Sequence, residues 1–369
     1  VTRDDTDRAV LGELPTDPRE DAKLVVDAPV LRTTKDLIVG AMNRALNPQR
    51  RVIVPTGHYE IDRNTGGFYP TSSWLIGADT GKGKSTLATA FVDQFQRNGS
   101  DAIIVSLEDA EELYADRLLL RRARRSHHEK INADHLRLNE LTRDEIQIMT
   151  DVAAAADHKP IFLDAIGQSG EWVAKSVATM LDALPSIGLV VLDYIGEADS
   201  EKLSEDRRNE LRKMGRLLRQ AVKSRKRCLI ILSQITTDEK NPDKFPRRNQ
   251  IRDCKDLVNA AEVVAMLGIV QADILDSKGN VKVRAGERAL LLDKVKRGHT
   301  GFVPLHWDDE AACFVDVEDP RHSPEQPGVP FRAGSRTTYD APPPRPFNET
   351  AERDDHDGFD DGFCGLPPA

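Results

Sequence analysis

The chain has 369 residues, 39% hydrophobic and 31% charged, with a formal net charge of −9. That composition suits a globular protein with a sizeable core. It offers no apolar run of membrane-spanning length and no signal peptide, which implies a cytoplasmic protein. The four cysteines, Cys228, Cys254, Cys313 and Cys364, are scattered without a C-x-x-C pair, which argues against both a zinc site and a disulfide framework.

The charge is unevenly spread. Residues 318–369 carry 11 acids and 5 bases and residues 1–35 carry 8 acids and 6 bases, so the segment between is close to neutral. Both ends are rich in charge and proline and poor in aliphatics. Residues 1–32 and the acidic, proline-rich tail 318–369 cannot bury enough apolar surface to offset chain entropy, and disorder is expected there. An acidic balance does not exclude nucleic acid, which needs only a local basic path.

The first predicted element is a short amphipathic helix over 36–46, inside a linker segment 33–50, with Thr33 and Asp36 as a capping pair. Apolar, strand-like runs then recur at 74–78, 102–107, 161–163, 189–193, 229–233, 263–267 and 289–293, with helical stretches between the earlier ones. Alternation of this kind predicts an α/β fold, a mostly parallel β-sheet with helices on both faces. Ligands in such folds sit beyond the carboxyl ends of the strands.

Residues 74–86 read W-L-I-G-A-D-T-G-K-G-K-S-T: a strand, a glycine-rich loop, then Lys-Ser opening a helix. This is the pattern of a phosphate-binding loop, with Ala78 where the strict pattern has glycine. Backbone N–H groups of Thr80, Gly81, Lys82, Gly83 and Lys84 can surround a β-phosphate at the helix N-terminus. Lys84 supplies charge to the β- and γ-phosphates, and Ser85 offers its hydroxyl to Mg²⁺. The nucleotide-binding set is therefore Ala78, Asp79, Thr80, Gly81, Lys82, Gly83, Lys84, Ser85 and Thr86. The structural alternative is a glycine-rich turn that happens to precede Lys-Ser.

Three further polar residues close strands. Asp193 ends the run 189–193, where a carboxylate holds Mg²⁺, usually through water, or merely opens a turn. Glu108 follows the run 102–107 and could orient a water for attack on the γ-phosphate; Glu197, four residues past Asp193, competes with it on equal terms. Gln234 follows 229–233 and could sense the γ-phosphate, although spacing alone favours a simple strand cap.

Taken together and in this order, these residues resemble the motor domain of replicative ring helicases of the DnaB type, within the RecA-like ATPases. Ile61-Asp62-Arg63-Asn64-Thr65-Gly66-Gly67 is similar to the family's L-D-x-x-T-G-G, and Ser106-Leu107-Glu108 to its S-L-E. Leu192-Asp193-Tyr194 resembles I-D-Y, Leu232-Ser233-Gln234 resembles L-S-Q, and Ile251-Arg252-Asp253-Cys254 resembles L-R-E-S. The block 293–301, D-K-V-K-R-G-H-T-G, is similar to the family's K-x-R-x-G-x-x-G hairpin.

The resemblance implies a RecA-like P-loop NTPase fold with C-terminal β-hairpins over 51–317, ATP and Mg²⁺ as ligands, single-stranded DNA as partner, and assembly into a hexameric ring. It assigns Glu108 as general base, which breaks the tie with Glu197, and Gln234 as the link from γ-phosphate to DNA. Arg252, Asp253 and Lys255 fall where the family's channel loop meets DNA. Lys294, with Lys296 or Arg297, would reach into the neighbouring subunit's ATP site as an arginine finger does. The finger position itself holds Lys296, with Arg297 beside it, and Lys255 replaces a glycine. Nothing ahead of residue 36 resembles the family's N-terminal helical domain, and 36–46 is similar to the linker helix that docks on an adjacent motor.

Two other readings stay open: a RecA-like DNA-dependent ATPase for repair, recombination or loading without unwinding, and a non-catalytic nucleotide-dependent scaffold. The helix over 206–226 carries Arg207, Arg208, Arg212, Lys213, Arg216, Arg219 and Lys223, and a second basic run holds Arg117, Arg121, Arg122, Arg124 and Arg125. Solvated helix faces are expected in both places, with a DNA- or subunit-facing surface as the alternative. No aromatic alternates with these bases, so base stacking is not suggested. His127, His128 and His158 lack partners at metal-ligand spacing and are expected at the surface. The tail's Phe359-Asp360-Asp361-Gly362-Phe363 could bind other replication proteins, or serve only solubility.

Overall fold

The computed structural model describes residues 33–46, 54–127, 131–156, 161–193, 205–235, 244–251 and 255–317. Helices α1 (Thr34–Leu46) and α2 (Tyr59–Thr65) precede β1 (Ser73–Ala78) and α3 (Lys84–Arg97). Then come β2 (Asp101–Ser106), α4 (Glu111–His127), α5 (Ala133–Leu138), α6 (Arg143–Ala154), β3 (Ile161–Asp164), α7 (Gly170–Ala183), β4 (Ile187–Asp193), α8 (Glu205–Ser224) and β5 (Cys228–Gln234). A 3₁₀ turn at Arg248–Gln250 leads to α9 (Lys255–Ala260), β6 (Val263–Ile269), β7 (Ile274–Leu275), β8 (Val281–Val283), β9 (Arg288–Val295), β10 (Gly301–Leu305), β11 (Trp307–Asp308) and β12 (Cys313–Phe314).

The main sheet runs β10-β9-β6-β1-β5-β4-β2-β3. From β6 to β3 every pairing is parallel, and β9 and β10 add an antiparallel edge. The pairs β7–β8 and β11–β12 form small antiparallel ladders of their own. The fold is thus the RecA-like one that the resemblance implied, and the predicted strands lie within two residues of the observed ones.

Strand alternation sorts the core into two layers. Trp74, Ile76, Ile104, Leu189, Val191, Ile230 and Leu232 face one side, where α3 contributes Leu87, Phe91 and Phe95. Leu75, Ile103, Val105, Val190, Leu192, Leu229 and Ile231 face the other, against Val173 and Val177 of α7 and Met214, Leu218 and Val222 of α8. Strands covered on both faces read as unbroken apolar runs, which is why the sequence announced them. A smaller cluster of Leu120, Ala123, Ile148, Met149 and Val152 packs α4 on α6.

Several expectations are adjusted. Helix α1 begins at Thr34 rather than 36, and its Leu37, Ile38, Val39 and Met42 are exposed. The basic helix α8 does carry exposed Lys213, Arg216 and Lys223 on its outer face, with Lys213 paired to Glu171. The run on α4 is neither solvated nor an open basic surface. Arg117 pairs with Asp109, Arg124 with Asp308, and Arg121, Arg122 and Arg125 all pair with Asp93 of α3. Arg121 also bonds Asp316 and the Phe314 carbonyl, so these arginines tie α4 to α3 and to the chain after β12.

Candidate active site

Parallel register brings the predicted strand-end residues to one edge. Ala78 lies opposite Gln234, Asp193 opposite Leu232, and Ser106 opposite Asp193. The loop between β1 and α3 therefore faces the ends of β5, β4 and β2. Its turn needs left-handed backbone at Gly81 (φ 74°) and Gly83 (φ 94°), where a side chain is strained. A Cβ on Gly83 would also come within 3.2 Å of the Phe314 ring, so β12 supports the loop from behind. Gly83 caps α3, whose first residues are Lys84 and Ser85, so unpaired N–H groups of the first turn point into the loop.

Asp193 is buried, and Ser85 Oγ donates to its Oδ2 at 2.6 Å. Lys84 Nζ lies 3.9 Å from its Oδ1. Burial depresses the Lys84 ammonium below the ordinary lysine range, while the carboxylates of Asp193, Glu108 and Asp109 pull the other way. A buried lysine with a weak ion pair is poised to meet phosphate. The Ser85 hydroxyl and the Asp193 carboxylate are hard oxygen donors that suit Mg²⁺. Among the described residues no three His, Cys, Asp or Glu gather into a metal cage. Two protein donors beside a phosphate site fit Mg²⁺, which keeps several waters and shares substrate phosphates.

Glu108 is exposed on the turn after β2. The Ser106 hydroxyl fixes that turn by donating to the Asp109 carbonyl at 2.6 Å, and Leu107 N–H donates to the Asp193 carbonyl at 3.1 Å. Gln234 is half-buried at the end of β5, beside the loop. Sequence reasoning missed Tyr114 of α4, whose hydroxyl donates to Asp193 Oδ2. It is the one aromatic in the helix Glu111–His127, which reads as an ordinary core contact.

Lys294, Lys296 and Arg297 are not part of this cluster. β9 is antiparallel to β6, so Val295 pairs with Val263, and Val263 lies opposite Trp74 at the start of β1. From Trp74 to the loop-side end of β1 is about 13 Å at the usual strand rise. The three cations thus occupy the opposite edge of the sheet from their own phosphate loop. Lys294 Nζ donates to the carbonyls of Val258 and Asn259, each at 2.7 Å, at the C-terminus of α9. Lys296 Nζ is 3.5 Å from the Ala260 carbonyl. Cations are favoured at such helix ends. Burial, helped by Lys296, Arg248 and Arg219, lowers the Lys294 pKa. The exposed Arg297 guanidinium lies 5.2 Å from the centre of the Tyr69 ring.

Arg252 and Asp253 lie outside the described residues, as do Tyr194, Glu197, His128, His158 and the tail 318–369. Lys255 opens α9, but its side chain lies outside the description too. Among the described residues no helix is long and apolar enough to cross a membrane.

Comparison with known proteins bears on the family and the fold. Over 266 residues the chain is 26% identical to the replicative DNA helicase DnaB of Leifsonia xyli subsp. xyli, covering 72% of this chain and 56% of that one. It is 25% identical to the replicative DNA helicase DnaC of Bacillus subtilis, covering 72% and 57%. The chain therefore spans about half the length of these curated relatives. Among solved structures, the ATPase domain of G40P aligns with a TM-score of 0.63 at 19% identity, over 78% of this chain and 100% of that one. A DnaB-like replicative helicase, solved for its interactions with primase, aligns at 0.61 and 20% identity, over 78% and 68%. Residues 53–316 match the model of the DnaB-like helicase C-terminal domain, and the chain belongs to that family.

Proposed function

We propose that the protein is an ATP-driven helicase motor that hydrolyses ATP at the interfaces of a hexameric ring, moves along single-stranded DNA and unwinds duplex. The observation that carries this reading is the position of the functional groups on opposite edges of one sheet. Lys84, Ser85, Asp193 and Glu108 gather at the carboxyl ends of the strands, while Lys294, Lys296 and Arg297 lie at the other edge. Among the described residues these cations do not reach the chain's own loop, and copies stacked edge to edge would complete one another's sites.

In this mechanism the N–H groups of residues 80–84 and the Lys84 ammonium bind the phosphates. Ser85 and Asp193 would hold Mg²⁺, which would neutralise phosphate charge when bound. Glu108, exposed on its fastened turn, takes the proton of the attacking water. Arg297 from the neighbour, with its planar fork, suits the charge that develops on the transferred phosphoryl group better than Lys296 does. Gln234, beside the loop, relays the state of the γ-phosphate towards the segment holding Arg252, Asp253 and Lys255, the proposed DNA contacts. The exposed apolar face of α1 docks on an adjacent motor, and primase and other replication proteins are candidate partners, the latter through the acidic tail.

The test is ATP hydrolysis with and without single-stranded DNA, paired with strand displacement on a forked duplex. Stimulation together with displacement is expected. Stimulation without displacement would replace the helicase with a DNA-dependent ATPase that loads or assembles. ATP binding without turnover would leave the scaffold reading.

A further inference from the structure

Tyr114 is a buried polar group in this site that the mechanism above leaves unused. Its hydroxyl donates to Asp193 Oδ2, the oxygen that also accepts from Ser85 Oγ at 2.6 Å. Oδ1 is left facing Lys84 Nζ at 3.9 Å. Two donors on one oxygen fix the plane of the carboxylate and present the other oxygen outward.

The ring is itself held. It packs on Phe162 at 5.6 Å between centroids, and the Arg117 guanidinium lies 5.2 Å from its centre. Arg117 donates twice to Asp109 at 3.0 Å, on the same turn as Glu108. Tyr114 also lines a cleft of about 280 Å³, together with Thr89, Glu111, Glu112 and Leu118.

Resting on the reading of Asp193 as a holder of Mg²⁺, we infer that Tyr114 is a positioning residue, whose hydroxyl keeps the Asp193 carboxylate oriented for the metal. When the Ser85 hydroxyl turns towards a metal, Tyr114 is the donor that remains on Oδ2. Without it the carboxylate is free to rotate towards Lys84. A closer ion pair there would weaken the metal site and compete with phosphate for the lysine. Mg²⁺ demands near-ideal geometry, so a rotated carboxylate costs affinity before it costs turnover.

The experiment uses the full chain and two variants. Tyr114→Phe removes the hydroxyl and keeps the ring; Tyr114→Ala also removes the ring and its packing on Phe162. Mn²⁺ binding in the presence of ADP is read by electron paramagnetic resonance, and Mg²⁺ half-activation is read from ATP hydrolysis. Tyr114→Phe is expected to melt like the parent chain and to weaken metal binding about fivefold, the loss of part of a charge-assisted hydrogen bond. At saturating Mg²⁺ its kcat is expected to stay within about twofold, because metal affinity and not the chemical step depends on this bond. Tyr114→Ala is expected to lose more affinity than Tyr114→Phe. Asp193→Asn separates the two claims. If it weakens Mn²⁺ binding and Tyr114→Phe does not, the positioning role is wrong. A fall in kcat with unchanged metal affinity overturns it as well. If Asp193→Asn leaves Mn²⁺ binding unchanged, the metal-site reading fails and takes the inference with it.

Discussion

Asp93 gives the sharpest stability prediction. It lies on α3, the helix that begins with Lys84 and Ser85, and its side chain is fully buried. Three guanidinium groups meet it: Arg121 at 3.1 Å, Arg122 at 3.0 Å, and Arg125. Burial alone would push the Asp93 carboxyl up; Arg125, Arg121 and Arg122 outweigh burial and hold it below the usual carboxylate value. Replacing Asp93 with Asn keeps the shape and strands the arginines. Removing one partner of a buried pair costs ~3–5 kcal/mol. Arg121 keeps Asp316 and the Phe314 carbonyl, and the Arg125 side chain is 33% exposed and screened, so the lower end, about 3 kcal/mol, is expected. The assay is urea unfolding at pH 7, with the parent and variant compared at low and at ~0.5 M salt. Because the group is buried, salt should change the difference little. The folded pKa is depressed, so the stabilisation is fully present above the unfolded value of 3.8 and is lost as pH falls through the folded one. The gap should be flat from about pH 5 to 8 and close only in acid. A gap under ~1 kcal/mol, or one that disappears in salt, would show that Asp93 behaves as a surface charge and refute the reasoning.

Glu108→Gln should cut ATP hydrolysis by ~10²–10⁴ while nucleotide binding persists, and unchanged turnover would remove Glu108 as the base. Arg297→Ala should cost ~10³ or more in kcat, with little change in nucleotide affinity. Mixing Arg297→Ala with Glu108→Gln chains should restore part of the activity, because some interfaces then hold both intact groups; no recovery on mixing speaks against completion by a neighbour. Asp62 is buried in α2, and burial lifts its carboxyl to about 7 against the opposing Thr56 hydrogen bonds. A raised carboxyl favours the folded state most below the unfolded value of 3.8 and loses that advantage as pH rises towards 7. Asp62→Asn should therefore stabilise the protein at pH 8 relative to pH 4, by up to about 4 kcal/mol, read as a shift in Tm at the two pH values. An equal effect at both would mean that Asp62 ionises freely.

The site was legible where a local backbone pattern carries the chemistry. Gly81 and Gly83 are needed for left-handed turns, and Lys84 and Ser85 follow because a helix N-terminus must open there, so residues 78–86 declare themselves without the rest of the chain. Parallel strands place Asp193, Gln234 and the turn carrying Glu108 at one edge, but spacing alone left Glu108 level with Glu197 and favoured a strand cap for Gln234, and only the resemblance to ring helicases gave these two a role. The basic run on α4 could not be read correctly. Its partners, Asp93, Asp308 and Asp316, are up to about two hundred residues away, and a string of arginines looks the same whether solvent or buried carboxylates receive it.

By itself, then, the sequence determined the α/β architecture, the phosphate loop and the strand-end acids, all features fixed by local geometry and hydrophobic period. Only the tertiary structure decided which charges neutralise one another, that Tyr114 of α4 reaches Asp193 at the end of β4, and that Lys294 and Lys296 cap α9 at the far edge of their own sheet. Those facts depend on pairing and register between segments distant in sequence, and long-range contact leaves no periodic trace in the chain.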